Sequence, residues 1–326
     1  MSPSLPVPLS LLDRSRTRAG EPDARALAST VSRARRAEDL GYHRFWVAEH
    51  HGVPGIASGS PAVLMAAVAA RTSRIRVGSG GVMLPNHRPL VVAEQFSVLE
   101  SLYPGRIDLG LGRSLGFTAP VREALGATTA EPADFLTAIN EVRDFLGGRG
   151  PVTAMPRVPA PPPLFVLAGG RGLDVAAAAG LPVVVGGPVL DSPAPLERYR
   201  RDFRATGPRD RPHVIISVNA MVAASREQAR ELLLPEAWAL VASRTTGAFP
   251  PLESAGAVRS RTLTARQTAA VGAVLDQAVY GTPTEVAATL TTLVERTGAD
   301  EVMATASTHD RDEQDAADAA LAALFG

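Results

Sequence analysis

Short runs of β-branched and apolar residues recur along the chain, separated by alanine-rich stretches whose apolar positions repeat with a helical period. The runs are Val7–Leu12, Arg44–Ala48, Arg76–Val82, Ile107–Gly112, Leu164–Ala168, Pro182–Val185, Val214–Val222 and Glu301–Thr305, eight in all. Between the first two, Ala24, Leu27, Ala28, Val31, Ala34 and Leu40 fall on a helical spacing, and Gly41 supplies the stop favoured after a helix C-terminus. Pro61–Ser73 and Leu90–Leu102 repeat the plan, and the second ends in Tyr103-Pro104-Gly105. Asp312–Phe325 reads as a closing helix with Ala316, Ala319, Ala320, Ala323 and Leu324 on one face.

Strands that alternate with helices imply right-handed βαβ units and a parallel sheet. Eight units fit a closed α/β (β/α)8 TIM barrel better than an open doubly wound sheet, the alternative for this pattern. The runs are short and apolar throughout, as strands covered on both faces must be. Two stretches break the rhythm, at 146–163 and 243–264. Both read as loop insertions that cover a pocket rather than as domain boundaries, so residues 1–326 are expected to form one barrel domain.

Composition narrows the chemistry. Lys+Arg 33 against Asp+Glu 33 gives a net charge of zero over 326 residues, which argues against nucleic acid or an anionic membrane as partner. The absence of cysteine excludes disulfides, thiolate zinc sites, iron–sulfur clusters and a cysteine nucleophile. No run approaches the length of a membrane span, and the first residues lack the pattern of a secretory signal. The expected setting is the cytoplasm.

A parallel barrel keeps its chemistry where strands end and βα loops begin. Glu49-His50-His51 follows the second strand, Gly78-Ser79-Gly80-Gly81 ends the third, and Arg113-Ser114 follows the fourth. Adjacent residues on an extended chain point to opposite sides, so His50 and His51 do not chelate one ion together and no metal site is expected. One imidazole can face a pocket as acid, base or donor while the other, with Glu49, supports it; the alternative is a histidine satisfied by backbone groups at the strand end. Gly80-Gly81 suits a flat ring lying against the backbone, or equally a packing constraint. Arg113 can fork onto a phosphate or form a surface ion pair. Ala168-Gly169-Gly170-Arg171-Gly172 opens the helix after the fifth strand, where backbone N–H groups favour an anion, but it lacks the spacing of a dinucleotide fingerprint.

In this order the segments LGYHRFWVAEHHGVPG (40–55), AARTSRIRVGSGGVMLPNHRPLVVAEQFSVLESLYPGRIDLGLGRS (69–114) and YGTPTEVAATLTTLVERTGADEVM (280–303) resemble the bacterial luciferase-like flavin monooxygenases over nearly the whole chain. The resemblance implies a luciferase-like barrel that binds reduced FMN at its C-terminal face and uses it to activate O2. It maps the catalytic histidine onto His50 and the pair against the isoalloxazine, often joined by a non-proline cis peptide, onto Gly80-Gly81. Phosphate contacts map onto Arg113 and onto Ala168, Gly169, Gly170, Arg171 and Gly172. It also implies a homodimer packed through Pro61–Ser73 and Leu90–Leu102, with Ala62, Ala66, Ala67, Ala69 and Ala70 permitting close approach.

Three places depart from the family's pattern. Relatives usually present hydroxyls at the strand-five turn, where this chain has Gly169-Gly170; each lost bond to a charged group is worth roughly 1.5–3 kcal/mol. Gly186-Gly187-Pro188 stands where histidines are common, and Leu115–Pro120 differs in composition. The expected activity is a two-component FMN-dependent monooxygenase that oxygenates a small organic substrate with O2 and reduced FMN from a separate flavin reductase. The alternatives are F420-dependent hydride transfer, or a flavin-binding scaffold that has lost catalysis.

Overall fold

The computed structural model describes residues 5–126, 129, 131–206 and 210–325. Its strands are β1 (Leu9–Asp13), β2 (Arg44–Val47), β3 (Arg76–Ser79), β4 (Val82–Met83), β5 (Ile107–Gly112), β6 (Leu164–Ala168), β7 (Val183–Gly186), β8 (Val214–Val218), β9 (Ala220–Val222), β10 (Val279–Gly281) and β11 (Glu301–Ala304). The helices are α1 (Asp23–Asp39), α2 (Pro61–Ala69), α3 (Pro89–Leu102), α4 (Ala119–Leu125), α5 (Pro132–Gly147), α6 (Gly172–Ala179), α7 (Ala194–Asp202), α8 (Arg226–Thr246), α9 (Ala255–Arg259), α10 (Ala265–Asp276), α11 (Pro283–Thr297) and α12 (Arg311–Ala322).

The sheet runs β3-β2-β1-β11-β8-β7-β6-β5-β4, and β3 also pairs with β5, so it closes. Every pairing in it is parallel. Segments β3 and β4 are the two halves of the predicted third strand, interrupted at Gly80–Gly81, so the sheet is the eight-stranded (β/α)8 barrel expected from the pattern. The predicted run Val214–Val222 divides at Asn219. Its first half stays in the barrel as β8, and β9 leaves to pair with β10, a strand that the apolar pattern does not announce.

Two apolar layers hold the barrel. Leu12, Trp46, Phe165, Val184, Ile215 and Met303 fill its interior, while alternate strand residues pack outward against the helices. Trp46 has no exposed surface. Its indole takes the room left by glycines: a Cβ on Gly78 would lie 2.3 Å from Trp46 Nε1, and one on Gly110 would lie 3.0 Å from the ring. Below it, Arg44 pairs with Asp108 at 2.7 Å and with Glu301 at 3.0 Å, closing the N-terminal end with compensated charge.

The two irregular stretches behave differently. Residues 146–163 run from the end of α5 to the N-terminal end of β6, where Pro163 O accepts from Leu109 N–H. They therefore lie at the barrel end opposite the βα loops, where Leu146, Gly147, Arg149 and Pro161 to Pro163 help to line a separate cavity of about 630 Å³ instead of covering the mouth of the barrel. The stretch 243–264 begins as the last turn of α8, contains α9, and is otherwise a roof. Leu252 exchanges backbone hydrogen bonds with Thr17 and Ala19, and Phe249 O accepts from Gly55 N–H. Val53, Ile56, Ala239, Phe249 and Leu252 form a small apolar cluster that fixes the roof to the loops after β1 and β2.

Candidate active site

At the C-terminal end of the barrel, the ends of β2, β3, β5 and β6 enclose a cavity of about 380 Å³. His50, Gly80, Gly81 and Arg113 all line it, together with Met83, Phe117 and Leu167. Four sequence-predicted site residues thus meet in one place. Ala168, Gly169, Gly170, Arg171 and Gly172 follow Leu167 but do not line this cavity.

The Gly80–Gly81 peptide is cis. A Cβ on Gly80 would strike Leu12 Cδ1 at 2.4 Å, and one on Gly81 would lie 2.9 Å from Gly110 O and from Leu167 Cδ1. Backbone packing accounts for Gly81, whereas Gly80 meets only the movable end of a side chain; both line the cavity with their backbone.

Glu49 organises the wall. It is buried, and its Oε1 accepts from His51 Nε2 at 2.6 Å and from His87 Nε2 at 2.7 Å. Its Oε2 accepts from the Met83 N–H at 2.9 Å. Burial alone pushes this carboxyl up, but the two imidazoles and the amide outweigh it and hold Glu49 down at about 2. Glu49 is therefore ionised, and one carboxylate ties the loop after β2 to the backbone beside Gly81. The role of His87 carries no sequence signal, because only the fold brings it to Glu49. Ligand atoms of Glu49, His51 and His87 lie within 4.8 Å of one another, but those atoms already satisfy each other as hydrogen-bond partners.

His50 sits differently. Its backbone N–H donates to Ser58 O at 2.8 Å, and its ring Nδ1 is buried without a partner. Burial first, then the Arg14 and Arg16 guanidinium groups, push its imidazole down to about 4, against the opposing pull of Glu49. At neutral pH this is an uncharged imidazole whose ring can accept or pass on a proton.

The turn after β6 is open. Gly170 has φ +50°, and a Cβ at Gly169 or Gly170 would meet nothing within 4 Å. Helix α6 starts there with Gly172 N–H bonded to Gly169 O at 2.9 Å. The space that hydroxyl side chains would fill is present, so the missing hydroxyls are not replaced by packing.

A second cavity of about 750 Å³ occupies the other half of the barrel mouth, lined by Arg14, Asn219, Glu236, Phe249 and the Gly186-Gly187-Pro188 segment among others. Arg14 pairs with Glu236 at 2.7 Å, and Asn219 Oδ1 is buried without a partner. Phe117 of the first cavity meets Phe249 of the second edge to face, with centroids 6.0 Å apart. The roof thus contributes one half of an aromatic partition between the two spaces.

A closed parallel barrel with a histidine, a flat glycine backbone and an arginine around one cavity defines a class of enzyme-like ligand-binding barrels. The family described as luciferase-like monooxygenase matches residues 8–301, and the chain belongs to that family. It is 37% identical to the uncharacterized protein YvbT of Bacillus subtilis, over 92% of this chain and 91% of the relative. Among solved structures, apo-MsnO8 superimposes with a TM-score of 0.86 at 30% identity, covering 98% of both chains. The fold alone is shared with two more distant structures. One is the FMN complex of the oxygenating constituent of 3,6-diketocamphane monooxygenase from Pseudomonas putida (TM-score 0.73, 15% identity, 98% of both chains). The other is an F420-dependent secondary alcohol dehydrogenase bound to an F420-acetone adduct (TM-score 0.68, 16% identity, 99% of this chain and 100% of that one). Flavin-type cofactors therefore occur in neighbours of this fold. Among the described residues, no helix is long and apolar enough to cross a membrane.

Proposed function

We propose that this protein is an FMN-dependent monooxygenase of the two-component kind, taking reduced FMN from a separate flavin reductase and oxygenating a small organic substrate. The observation that carries the reading is the meeting of an uncharged His50, its Nδ1 unpartnered, with the Gly80–Gly81 backbone and Arg113 around one cavity. Bound reduced FMN supplies the two electrons that O2 activation needs. Met83, Leu167 and the glycine backbone suit a planar ring, and Arg113 suits an anionic tail. His50 holds or moves a proton at its ring nitrogen. Phe117 and Phe249 keep water from the reacting face, and the larger cavity beyond them receives the substrate. There Asn219 is a polar side chain in the lining toward which a substrate hydroxyl or N–H would be directed.

A homodimer belongs to the same reading. Val63 on α2 and Leu102 on α3 are 70% and 61% exposed, and Val91 and Val98 extend the apolar face. Ala69 faces the barrel's own core, so the contact would use Ala67 and Ala70 with these residues.

One observation favours a second reading. The open turn at Gly169–Gly170 leaves room for a longer tail than that of FMN, which suits F420 and hydride transfer without oxygen. Anaerobic calorimetry with reduced FMN and with F420 separates the two. Tight binding of reduced FMN and O2-dependent substrate turnover support the first reading. Selective binding of F420 replaces it with the second, and binding of neither leaves a degenerate scaffold. With FMN bound, His50→Ala is expected to lower turnover about 10²–10⁴-fold, the range for loss of a general acid or base.

A further inference from the structure

Outside both cavities, a third of about 390 Å³ lies between α1, the loop after β1 and the start of α12. Six arginines and three aspartates line it. Arg33 is compensated by Asp13 and Asp318, Arg36 by Asp315, and Arg311 by Glu21. Arg16, Arg18 and Arg25 form no ion pair among the described residues.

Two of these three are buried. Arg16 is 4% exposed; its guanidinium donates to Gly55 O at 3.0 Å and Pro250 O at 3.3 Å and lies over the Phe249 ring. Its Nε is buried with no hydrogen-bond partner. Arg18 is 7% exposed and donates to the carbonyls of Thr308 and His309. Carbonyl oxygens satisfy donors but form no ion pair, and a desolvated cation without a directly paired anion is costly. Burial and neighbouring arginines draw both groups down, Arg16 to about 9 against the pull of Glu236 and Arg18 to about 10 against that of Glu21 and Asp13. The opposite wall is the face of α1 that carries Arg25 and Ser32, both exposed.

We propose that this cavity binds a phosphate group, as inorganic phosphate or a phosphate monoester, at a site separate from the one that holds His50 and Arg113. Phosphate offers several oxygens to more than one guanidinium fork at once and carries the larger charge. The two cavities have no lining residue in common.

The test is calorimetry of the full chain with inorganic phosphate and with glycerol phosphate, against chloride at matched ionic strength. One saturable phosphate site per chain is expected. Arg25→Gln should weaken it at least fivefold and Ser32→Asp should abolish it; both residues are exposed, and an unchanged melting temperature would verify the fold. Arg113→Gln should leave it intact. A preference for glycerol phosphate would identify the ligand as a monoester, and a preference for inorganic phosphate would identify the free ion. The proposal fails if phosphate gives no saturable heat or if both α1 variants bind as the unsubstituted chain does. It also fails if Arg113→Gln removes the binding, since the anion would then belong to the cofactor cavity.

Discussion

Glu49 at the end of β2 and His87 beyond β4 meet at 2.7 Å, although 38 residues separate them in the chain. The same carboxylate holds the Met83 amide, so it governs the backbone next to Gly81. In Glu49→Gln an ionised acceptor becomes a neutral amide, and each bond to the charged group is worth about 1.5–3 kcal/mol. Hydrogen exchange at the Met83 amide should accelerate, and affinity for reduced FMN should fall about tenfold. Unchanged exchange would mean that packing alone holds this segment.

His50 and Glu49 make stability sensitive to acid in the same direction. A free histidine takes up its proton near 6.5, but His50 in the folded chain does so only near 4. The unfolded state therefore binds more protons between these values, and stability declines as pH falls through them. Glu49 is lowered from 4.5 to about 2, so its contribution is complete above 4.5 and is lost as pH falls toward 2. Urea midpoints at pH 7, 5.5 and 4.5 should decrease in that order, and His50→Gln should flatten the decrease.

Two glycine-to-alanine changes should differ sharply. At Gly110 a Cβ would lie 2.1 Å from Ser79 O, a backbone atom that cannot move aside. Gly110→Ala should lose several kcal/mol or fail to fold, in keeping with overpacking of a dense core at about 1–3 kcal/mol or more. At Gly169 nothing lies within 4 Å, so Gly169→Ala should melt within a few degrees of the unsubstituted chain. Thermal unfolding followed by circular dichroism compares them directly.

The buried Asp13–Arg33–Asp318 group joins β1 and α1 to α12, with contacts of 2.9 and 2.7 Å. Arg33→Met leaves two buried carboxylates uncompensated and should cost about 3–5 kcal/mol. Adding Asp13→Asn and Asp318→Asn should restore part of the loss. A mild effect of Arg33→Met in denaturant titrations would contradict this account.

The exposed apolar face of α2 and α3 should be sensitive to charge. In the proposed homodimer, Val63→Glu and Leu102→Glu, at positions 70% and 61% exposed, should favour the monomer in analytical ultracentrifugation while leaving it folded. Unchanged sedimentation would remove this face as the contact.

Much of the architecture is legible in the chain itself. Buried parallel strands must be apolar on both faces, so the eight runs stand out, and the residues that follow them mark the functional end of the barrel. His50, Gly80, Gly81 and Arg113, which come together around one cavity, are singled out this way because a strand end is a local feature, as are Ala168 to Gly172, which do not line it. The pairing of Glu49 with His87, the partition between Phe117 and Phe249, and the cavity around Arg16 and Arg18 are not local. They arise where loops from distant strands converge, and nothing in an irregular loop's composition encodes its partner. The stretches at 146–163 and 243–264 look alike as proline- and glycine-bearing interruptions, yet one lies at the foot of the barrel and the other roofs its mouth. Chain direction decides this, since a loop that enters a strand and a loop that belongs to a βα connection lie at opposite ends. The barrel and the residues at its strand ends can be read from local pattern alone. The buried pairings and the cavities cannot, because burial and long-range contact exist only once the strands have closed.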